Sequence, residues 1–155
     1  MSIEKARAHL ARHGLEDRIM EFDQSSATVE LAARAVGCEP ARIAKTLSFE
    51  IAGEAALIVF AGDARINNQK FKATFHTKPR MLDAASAEDR IGHAVGGVCP
   101  FGVNEGVRVY LDESLRRFDV VYPAAGSSSS AVRLTPAELE DCVDGATWVD
   151  VSRLP

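Results

Sequence analysis

The pattern of hydrophobic and polar positions changes its period along the chain, which predicts a mixture of helices and strands. Apolar residues recur at helical spacing in the segments 2–13, 28–36 and 84–91, and a glycine follows each run. Segment 46–51 alternates between hydrophobic and polar residues, and segment 55–61, which follows a turn, is continuously apolar. Together these segments predict a hairpin of core strands. Further short strands are predicted at 18–22, 107–111, 119–122, 131–134 and 148–151.

Two further helices are indicated by the residues at their starts. Asn68 is the predicted cap of a helix in which Phe71 and Phe75, four residues apart, face inward. Thr135 and Pro136 place a cap before a proline at the first helical position, which begins the last helix. Helices and strands follow one another without a regular βαβ series, linker or repeat. The sequence therefore predicts a single α+β (mixed α/β) domain over all 155 residues.

The composition is that of a globular protein with one unusually basic segment. Of the 155 residues, 46% are hydrophobic and 26% are charged, which excludes a disordered or collagen-like chain. The net charge is −4, yet segment 63–80 holds five bases and one acid, so it carries +4 and the remainder −8. A basic patch on an acidic body suits a protein that touches one polyanion in one place, and a solvated helix face is the alternative.

The compartment is predicted from what the sequence lacks. No apolar run approaches the roughly 18–20 residues that a membrane span requires. The N-terminus also lacks the apolar core of a signal peptide. Cys38, Cys99 and Cys142 form no CxxC pair, so neither a disulfide framework nor a zinc ribbon is indicated. We therefore expect a cytoplasmic protein with reduced thiols that does not bind a membrane.

Histidine and cysteine positions raise metal and thiol chemistry, each with a plainer alternative. His9 and His13 lie four apart on the first helix, a spacing that can bind a metal, but no glutamate follows His9. Surface histidines near a helix end fit better. Cys99 could act as a nucleophile if a base such as His93 or His76 approached it, and a small, partly buried residue in a tight loop is the alternative. We predict no metal site and no cofactor.

A lysine and a glycine-rich segment are the strongest candidates for ligand contact. Lys45 is predicted to enter a core strand from a helical turn among apolar residues, which is costly unless the side chain reaches solvent or an anion. A lysine at a sheet edge is the alternative. Segment 92–106 is neither a Walker loop nor a dinucleotide fingerprint. Its glycines would let the backbone approach a ligand, and its free amides could bind a carbonyl oxygen or a phosphate.

Four motifs together resemble the YbaK family, the free-standing relatives of the editing domain inserted in bacterial prolyl-tRNA synthetases. They are Ile-Ala-Lys-Thr-Leu at 43–47, Gly-Asp at 62–63, the segment 92–102 with its GxxxP sequence, and Ala-Ala-Gly followed by four serines from 124. The resemblance extends over about residues 28–151. The lysine and the GxxxP loop, in that order and spacing, are its most specific part.

The resemblance implies a fold, an activity and a set of site residues. The implied fold is a mixed, mainly antiparallel sheet wrapped by helices around one cleft. The implied activity is hydrolysis of the ester that joins a wrong amino acid to the 3′ end of a tRNA, with loop amides holding the aminoacyl carbonyl. The catalytic residues so implied are Lys45, Gly96, Gly97, Val98, Cys99 and Pro100. Substrate contacts are expected from Phe22, Thr28, Asp63, His93, Phe101, Gly126, Ser127 and Ser128.

The expected partner is the acceptor end of a misacylated tRNA, with an aminoacyl-tRNA synthetase as a further candidate partner. Its phosphates are expected at the basic segment, that is at Lys70, Lys72, Lys78 and Arg80. A monomer and a homodimer both stay open. So does the edited amino acid, because serines follow Gly126 where related editing proteins often carry basic or extra glycine residues. Two other functions stay open: a catalytically silent tRNA- or nucleotide-binding module of the same fold, and a hydrolase that uses the Cys99 thiol.

Overall fold

The backbone of residues 2–155, described by a computed structural model, forms helices and strands in mixed order. The helices are α1 (Ser2–Ala11), α2 (Val29–Val36), α3 (Asn68–Phe75), α4 (Ala84–Ile91) and α5 (Pro136–Cys142). The strands are β1 (Ile19–Glu21), β2 (Ile43–Ile51), β3 (Glu54–Ala61), β4 (Arg65–Ile66), β5 (Arg108–Asp112), β6 (Tyr122–Pro123), β7 (Ser130–Val132), β8 (Thr147–Val149) and β9 (Ser152–Arg153). Short 3₁₀ turns lie at Glu16–Arg18, Pro40–Arg42 and Glu113–Arg117. No helix in this part of the chain is both long enough and apolar enough to cross a bilayer.

The helix ends are set by local side-chain chemistry, as the sequence predicts. The Thr28 side chain accepts a hydrogen bond from the backbone of Leu31 at the start of α2, and Gly37 ends that helix in the left-handed region. Thr135 and Glu138 form a reciprocal capping box at the start of α5. The predicted cap of α3 is wrong by one residue. Asn67, whose backbone is still extended, accepts from Lys70, and Asn68 is already helical.

A five-stranded mixed sheet in the order β6-β2-β3-β5-β8 forms the centre of the molecule. The predicted hairpin is confirmed, since β2 and β3 pair antiparallel over eight positions. The pairs β2–β6, β3–β5 and β5–β8 are parallel, whereas the small sheets β1–β7 and β4–β9 are antiparallel. The predicted α+β class with a mixed sheet is confirmed. Within the five-stranded sheet, antiparallel pairing is confined to the hairpin.

Two strand boundaries differ from the sequence prediction in ways that shape the site. Strand β2 begins at Ile43, so Lys45 is its third residue and lies within the sheet rather than at the exit of a helical turn. The predicted strand 119–122 is reduced to Tyr122–Pro123, which pairs with β2 at Ile43 and Ala44. Pro123 has no N–H to donate, so it suits the end of a short edge strand.

The core lies around β3, which explains its continuous apolar sequence. Residues 56–61 are at most 2% exposed, as expected for a strand covered on both faces. On one face of the sheet, Phe71 of α3 packs against Phe49, and Phe75 packs against Tyr110. The predicted inward orientation of Phe71 and Phe75 is confirmed, with Phe71 fully buried and Phe75 partly so.

Candidate functional site

A pocket of about 590 Å³ opens beside β2 and contains part of the predicted site. One side is β2 itself, residues 43–48. The other sides are α2, the start of α4 and the glycine-rich loop at 95–98. The floor is mostly apolar. Its hydrophobic lining residues are Ala27, Val29, Ala32, Ile43, Ala44, Leu47, Met81, Leu82, Ala84, Ala87, Val95, Val98, Tyr122, Ala124 and Ala131.

The pocket occupies a gap in the hydrogen bonding along the outer edge of β2. At one end of this edge, Ala44 pairs with β6. At the other end, the carbonyl of Ser48 accepts from the backbone of Leu82 at 3.1 Å, and the Glu50 N–H donates to the carbonyl of Arg80 at 2.9 Å. Peptide groups of alternate residues point to the same side of a strand, so those of Thr46 face the gap between the two pairings.

Thr46 also has an unpaired group in its side chain. Its Oγ1 is buried and has no hydrogen-bond partner within residues 2–155. A buried hydroxyl without a partner costs roughly 1–3 kcal/mol, so such groups are rare in folded proteins. Thr46 was not among the site residues predicted from the sequence. Its position next to Lys45 in the Ile-Ala-Lys-Thr-Leu motif could have indicated a site residue. The gap beside Thr46, however, depends on pairing between segments that are distant in the sequence.

Lys45 is half-buried, and backbone carbonyls hold its ammonium group. Its Nζ donates to the carbonyl oxygens of Ala64 at 2.6 Å and Gly62 at 3.2 Å. Burial lowers the pKa of Lys45, and the nearby carboxylate of Asp63 acts in the opposite direction. A lysine ammonium has three N–H donors, so one donor remains for a ligand in the pocket that Lys45 lines.

The GxxxP loop presents part of its backbone to the pocket. Gly96 and Val98 line the pocket, and Gly96 has φ +92°, a conformation that favours glycine. The structure records no acceptor for either N–H among the described residues. The N–H of Gly97 instead donates to the carbonyl of Ala94 at 3.0 Å, so this amide is already used inside the loop.

The loop rests against the serine-containing turn that the sequence analysis assigned to the substrate. A Cβ on Gly97 would lie 2.8 Å from the backbone of Gly126 and Ser127, and one on Gly96 would lie 3.3 Å from the Cβ of Ser128. Gly126, Ser127 and Ser128 therefore support the loop and do not themselves line the pocket. Their neighbour Ser130 does line it.

Three predicted site side chains lie behind the loop, where a substrate in the pocket cannot touch them. Cys99, His93 and Phe101 are all fully buried. The carbonyl of Phe101 accepts from His93 Nε2 at 2.6 Å, and the Cys99 Sγ lies 3.6 Å from that nitrogen. Burial raises the pKa of the Cys99 thiol to about 12, which makes it a poor nucleophile. The expectation of substrate contact is therefore wrong for the His93 and Phe101 side chains, which instead hold the loop.

The remaining predicted substrate residues divide between the pocket and its surroundings. Thr28 lines the pocket at the start of α2. Phe22 and Asp63 are not among the lining residues. The backbone N–H of Phe22 donates to Ser129 O at 2.8 Å, so this segment runs along the serine turn. Asp63 forms a bidentate ion pair with Arg117, and this interaction lowers the pKa of the Asp63 carboxyl group. Pro100 is buried with Cys99.

The basic segment does not form one uniform patch. Lys70 donates to the carboxylate of Asp150 and to the carbonyl of Ser152, and Arg80 lies 3.5 Å from Glu50. Lys72 and Lys78 are exposed, and the structure records no ion pair for them among residues 2–155. These two lysines are therefore the members of the predicted set whose charge is least compensated. Within the same residues, no cluster of three or more His, Cys, Asp or Glu side chains is arranged to hold a metal ion.

Comparison with known proteins shows which family this chain is similar to. A family model described as "Aminoacyl-tRNA editing domain" matches residues 23–142. The chain is 47% identical over 154 residues to the uncharacterized protein YwhH of Bacillus subtilis (strain 168), covering 99% of this chain and 98% of that protein. It is 27% identical over 120 residues to proline–tRNA ligase of Listeria monocytogenes, covering 75% of this chain and 20% of the ligase.

A solved structure shows the same likeness in three dimensions. A candidate trans-editing enzyme for prolyl tRNA synthetase superposes on this chain with a TM-score of 0.88 and 30% identity, covering 98% of this chain and 97% of that one. The matched segment 23–142 contains Lys45, the GxxxP loop and the serine turn, while α1 precedes it. The resemblance first indicated by the motifs is confirmed, and the chain belongs to the aminoacyl-tRNA editing domain family.

Proposed function

We propose that this protein hydrolyses the ester bond between a small, wrongly attached amino acid and the 3′ end of a tRNA. The observation that carries the proposal is that Lys45, Gly96 and Val98 line one pocket at the open edge of β2, and that the N–H groups of Gly96 and Val98 have no recorded acceptor among the described residues. Membership of the editing-domain family supports the same reaction. The substrate is a misacylated tRNA that enters with its acceptor end.

Lys45 supplies a fixed positive charge to the substrate. The carbonyls of Gly62 and Ala64 occupy two of its donors, and the third is open to a phosphate oxygen or to the ester carbonyl. The half-buried position strengthens this interaction, because a charge interacts more strongly where the surroundings are less polarisable than water. The ammonium is also held in place before the substrate arrives, so little reorganisation is needed.

The amides of Gly96 and Val98 suit the oxygen that becomes negatively charged during ester hydrolysis. Backbone N–H groups fixed by a loop stabilise the tetrahedral intermediate without moving. The peptide groups of Thr46 at the edge gap offer a further donor and acceptor, which suit the amino group and the carbonyl of the aminoacyl part.

The attacking group in this mechanism is water. No Cys, His, Asp or Glu side chain is among the pocket-lining residues of the described chain, so the pocket offers neither a thiol nor a conventional base. An aminoacyl ester is already reactive, and holding it beside an oriented water converts a bimolecular step into an effectively unimolecular one. The free hydroxyl of the terminal ribose is the candidate that orients this water.

The lining favours an amino acid with a neutral side chain. Val29, Ala32, Ile43 and Leu47 present apolar surface, and Lys45 is the charged residue in the lining. A charged amino-acid side chain would lose its water shell there without gaining a partner of opposite sign, except for an acid that competed for Lys45. Alanine, serine, cysteine and threonine therefore form the appropriate first set of substrates.

The structure argues against one of the two alternative functions, the Cys99 thiol hydrolase, and leaves the other, the silent tRNA-binding module, to experiment. A thiol hydrolase requires Cys99 to reach the substrate, and its complete burial with a raised pKa argues against this. A silent tRNA-binding module would use the same pocket without turnover.

The experiment that distinguishes these functions is a deacylation screen in which purified protein is mixed with alanyl-, seryl-, cysteinyl- and threonyl-tRNAs. Hydrolysis of at least one of them above the buffer rate supports the proposal, and binding without hydrolysis of any supports the silent module.

A further inference from the structure

One peptide group at the end of the GxxxP loop lies between two histidine rings. The carbonyl of Phe101 accepts a hydrogen bond from His93 Nε2 at 2.6 Å. The N–H of Gly102, which belongs to the same peptide unit, donates to His9 Nδ1 at 3.1 Å. The unit joins the two residues that follow Pro100, so it fixes the end of the segment that contains the pocket-lining Gly96 and Val98.

His9 reaches this peptide group from α1, which lies outside the segment that matches the family. The residue is 9% exposed, so the expectation that His9 is a surface histidine is wrong. Its Nε2 lies 2.6 Å from the carbonyl of Cys142 at the end of α5. A carbonyl can only accept, so Nε2 carries the proton, and Nδ1 must be the unprotonated acceptor for Gly102. His9 is therefore neutral, with one fixed tautomer, and both nitrogens are occupied, which leaves none for a metal.

The contact between α1 and the loop is too close for a side chain at position 102. Gly102 has φ +64°, and a Cβ there would lie 2.5 Å from the carbonyl oxygen of Lys5. The Phe101 ring also packs edge-on against His9, with 5.8 Å between the ring centroids. The loop end is thus fitted to the backbone of α1, and the hydrogen bond to His9 fixes its direction.

We infer that His9 is a positioning residue of the editing site, which in its neutral form holds the GxxxP loop so that the Gly96 and Val98 amides face the pocket. The inference rests on the proposed function, and it makes α1 part of the structure that supports the site. His9 does not touch the substrate in this account. It acts through Gly102, and its loss alters the geometry of the amides rather than removing a reacting group.

Protonation of His9 would break this arrangement. A second proton on Nδ1 would face the Gly102 N–H, so two donors would meet where one acceptor is needed. The charged groups around the ring are Arg12 and His13 in the turn after α1, which oppose protonation, and Asp144 after α5, which favours it. On the loop side, the buried His93 and Cys99 and the nearby Lys5 supply no negative charge at neutral pH.

The direction of the pH effect follows from the neutral ring. Burial lowers the pKa of His9 below its ordinary value of 6.5. The folded protein therefore binds fewer protons here than the unfolded chain. The arrangement is fully stable above pH 6.5 and is lost as the pH falls through the lowered pKa.

The test compares three variants by NMR and by deacylation of the best tRNA substrate. His9→Asn keeps an acceptor near the Nδ1 position and cannot titrate, and His9→Leu removes the acceptor. His13→Gln changes the exposed histidine in the turn that follows α1. In the wild type, we expect the Gly102 amide resonance to titrate together with the His9 ring, and in His9→Asn this titration disappears. In His9→Leu, the Gly96 and Val98 amide resonances shift, and kcat falls by about tenfold or more with KM changed less than about threefold, since small misplacements of positioning groups are costly.

The two readouts separate this inference from the proposed function. A wild-type protein that deacylates none of the tRNAs refutes the proposed function, and the loop resonances then decide the inference alone. A Gly102 amide that does not follow the His9 titration would overturn the inference. So would a folded His9→Leu protein whose Gly96 and Val98 resonances match those of His13→Gln.

Discussion

Lys45 donates a hydrogen bond to the carbonyl oxygen of Ala64 across 2.6 Å, although 19 positions separate the two residues. Strand β3 ends at Ala61, and the turn that follows presents the carbonyls of Gly62 and Ala64 to β2. The nearest acid, Asp63, is bound to Arg117. The position of the ammonium is therefore set by backbone oxygens, and its charge remains available to a ligand.

Replacement of Gly97 tests the contact between the GxxxP loop and the serine turn. In Gly97→Ala, the new methyl group would lie 2.8 Å from the backbone of Gly126 and Ser127, so the loop must shift. We expect a loss of about 1–3 kcal/mol in the free energy of unfolding, as is typical of overpacking, together with slower deacylation. Gly106→Ala is the control in the same loop, because a Cβ there meets no neighbour and only its left-handed backbone is strained. Equal activity of the two variants would contradict the assigned contact.

The Cys99→Ala variant separates loop support from thiol chemistry. Cys99 is fully buried behind the loop, and alanine leaves the backbone amides in place. We expect most of the deacylation rate to remain, with a modest loss of stability from the vacated volume. A complete loss of activity in the variant, or an acyl group on Cys99 of the wild-type protein seen by mass spectrometry, would instead establish the thiol mechanism.

Thr46→Val exchanges the unpartnered hydroxyl of Thr46 for a methyl group of similar size. Because Oγ1 is buried without a partner, its removal raises the free energy of unfolding by about 1 kcal/mol, measured by urea denaturation. We expect kcat/KM to change little, because the buried hydroxyl has almost no surface that a substrate could contact. Thr147→Val, at an exposed position of β8, is the matched control. A destabilised Thr46→Val protein would show that the hydroxyl has a hydrogen-bond partner in the folded protein.

Salt dependence of tRNA binding tests the basic segment. Lys72 and Lys78 are exposed, whereas Lys70 is held by Asp150. We expect Lys72→Ala and Lys78→Ala each to flatten the plot of log affinity against log salt by about 0.7–0.9, and to weaken correct and incorrect aminoacyl-tRNAs alike. Lys70→Ala should change the slope less. An unchanged slope in the double variant of Lys72 and Lys78 would place the tRNA on another surface.

Local sequence signals predicted much of the fold, because caps and turns depend on neighbouring residues. Thr28 and Gly37 bound α2, and Thr135 begins α5 as predicted. The hairpin follows from alternation and a continuous apolar run, and its turn at Ala52 and Gly53 takes two residues of positive φ, as two-residue hairpins prefer.

The site was predicted only in part, because its geometry depends on contacts between distant segments. Lys45 and the GxxxP loop were found from motifs. The edge gap that exposes Thr46 exists because β6 is short and the backbone of Arg80 and Leu82 pairs further along β2. No local pattern shows that gap. The burial of His93 and the role of His9 likewise depend on α1 packing against the loop, which a helical period cannot reveal.

The most direct test of the account is the single-turnover rate of deacylation of the preferred misacylated tRNA by Lys45→Met. Methionine keeps the length of the side chain and removes the charge. Lys72→Met is the control for loss of a lysine outside the pocket, and both rates are measured at saturating enzyme so that a change in tRNA affinity does not affect them. Measured at a temperature at which both variants are folded, the rate is expected to be at least about tenfold lower for Lys45→Met, since a charge-assisted contact contributes about 1.5–3 kcal/mol. A Lys45→Met rate equal to that of Lys72→Met would contradict the account, because the ammonium held by Ala64 and Gly62 would then have no part in the reaction.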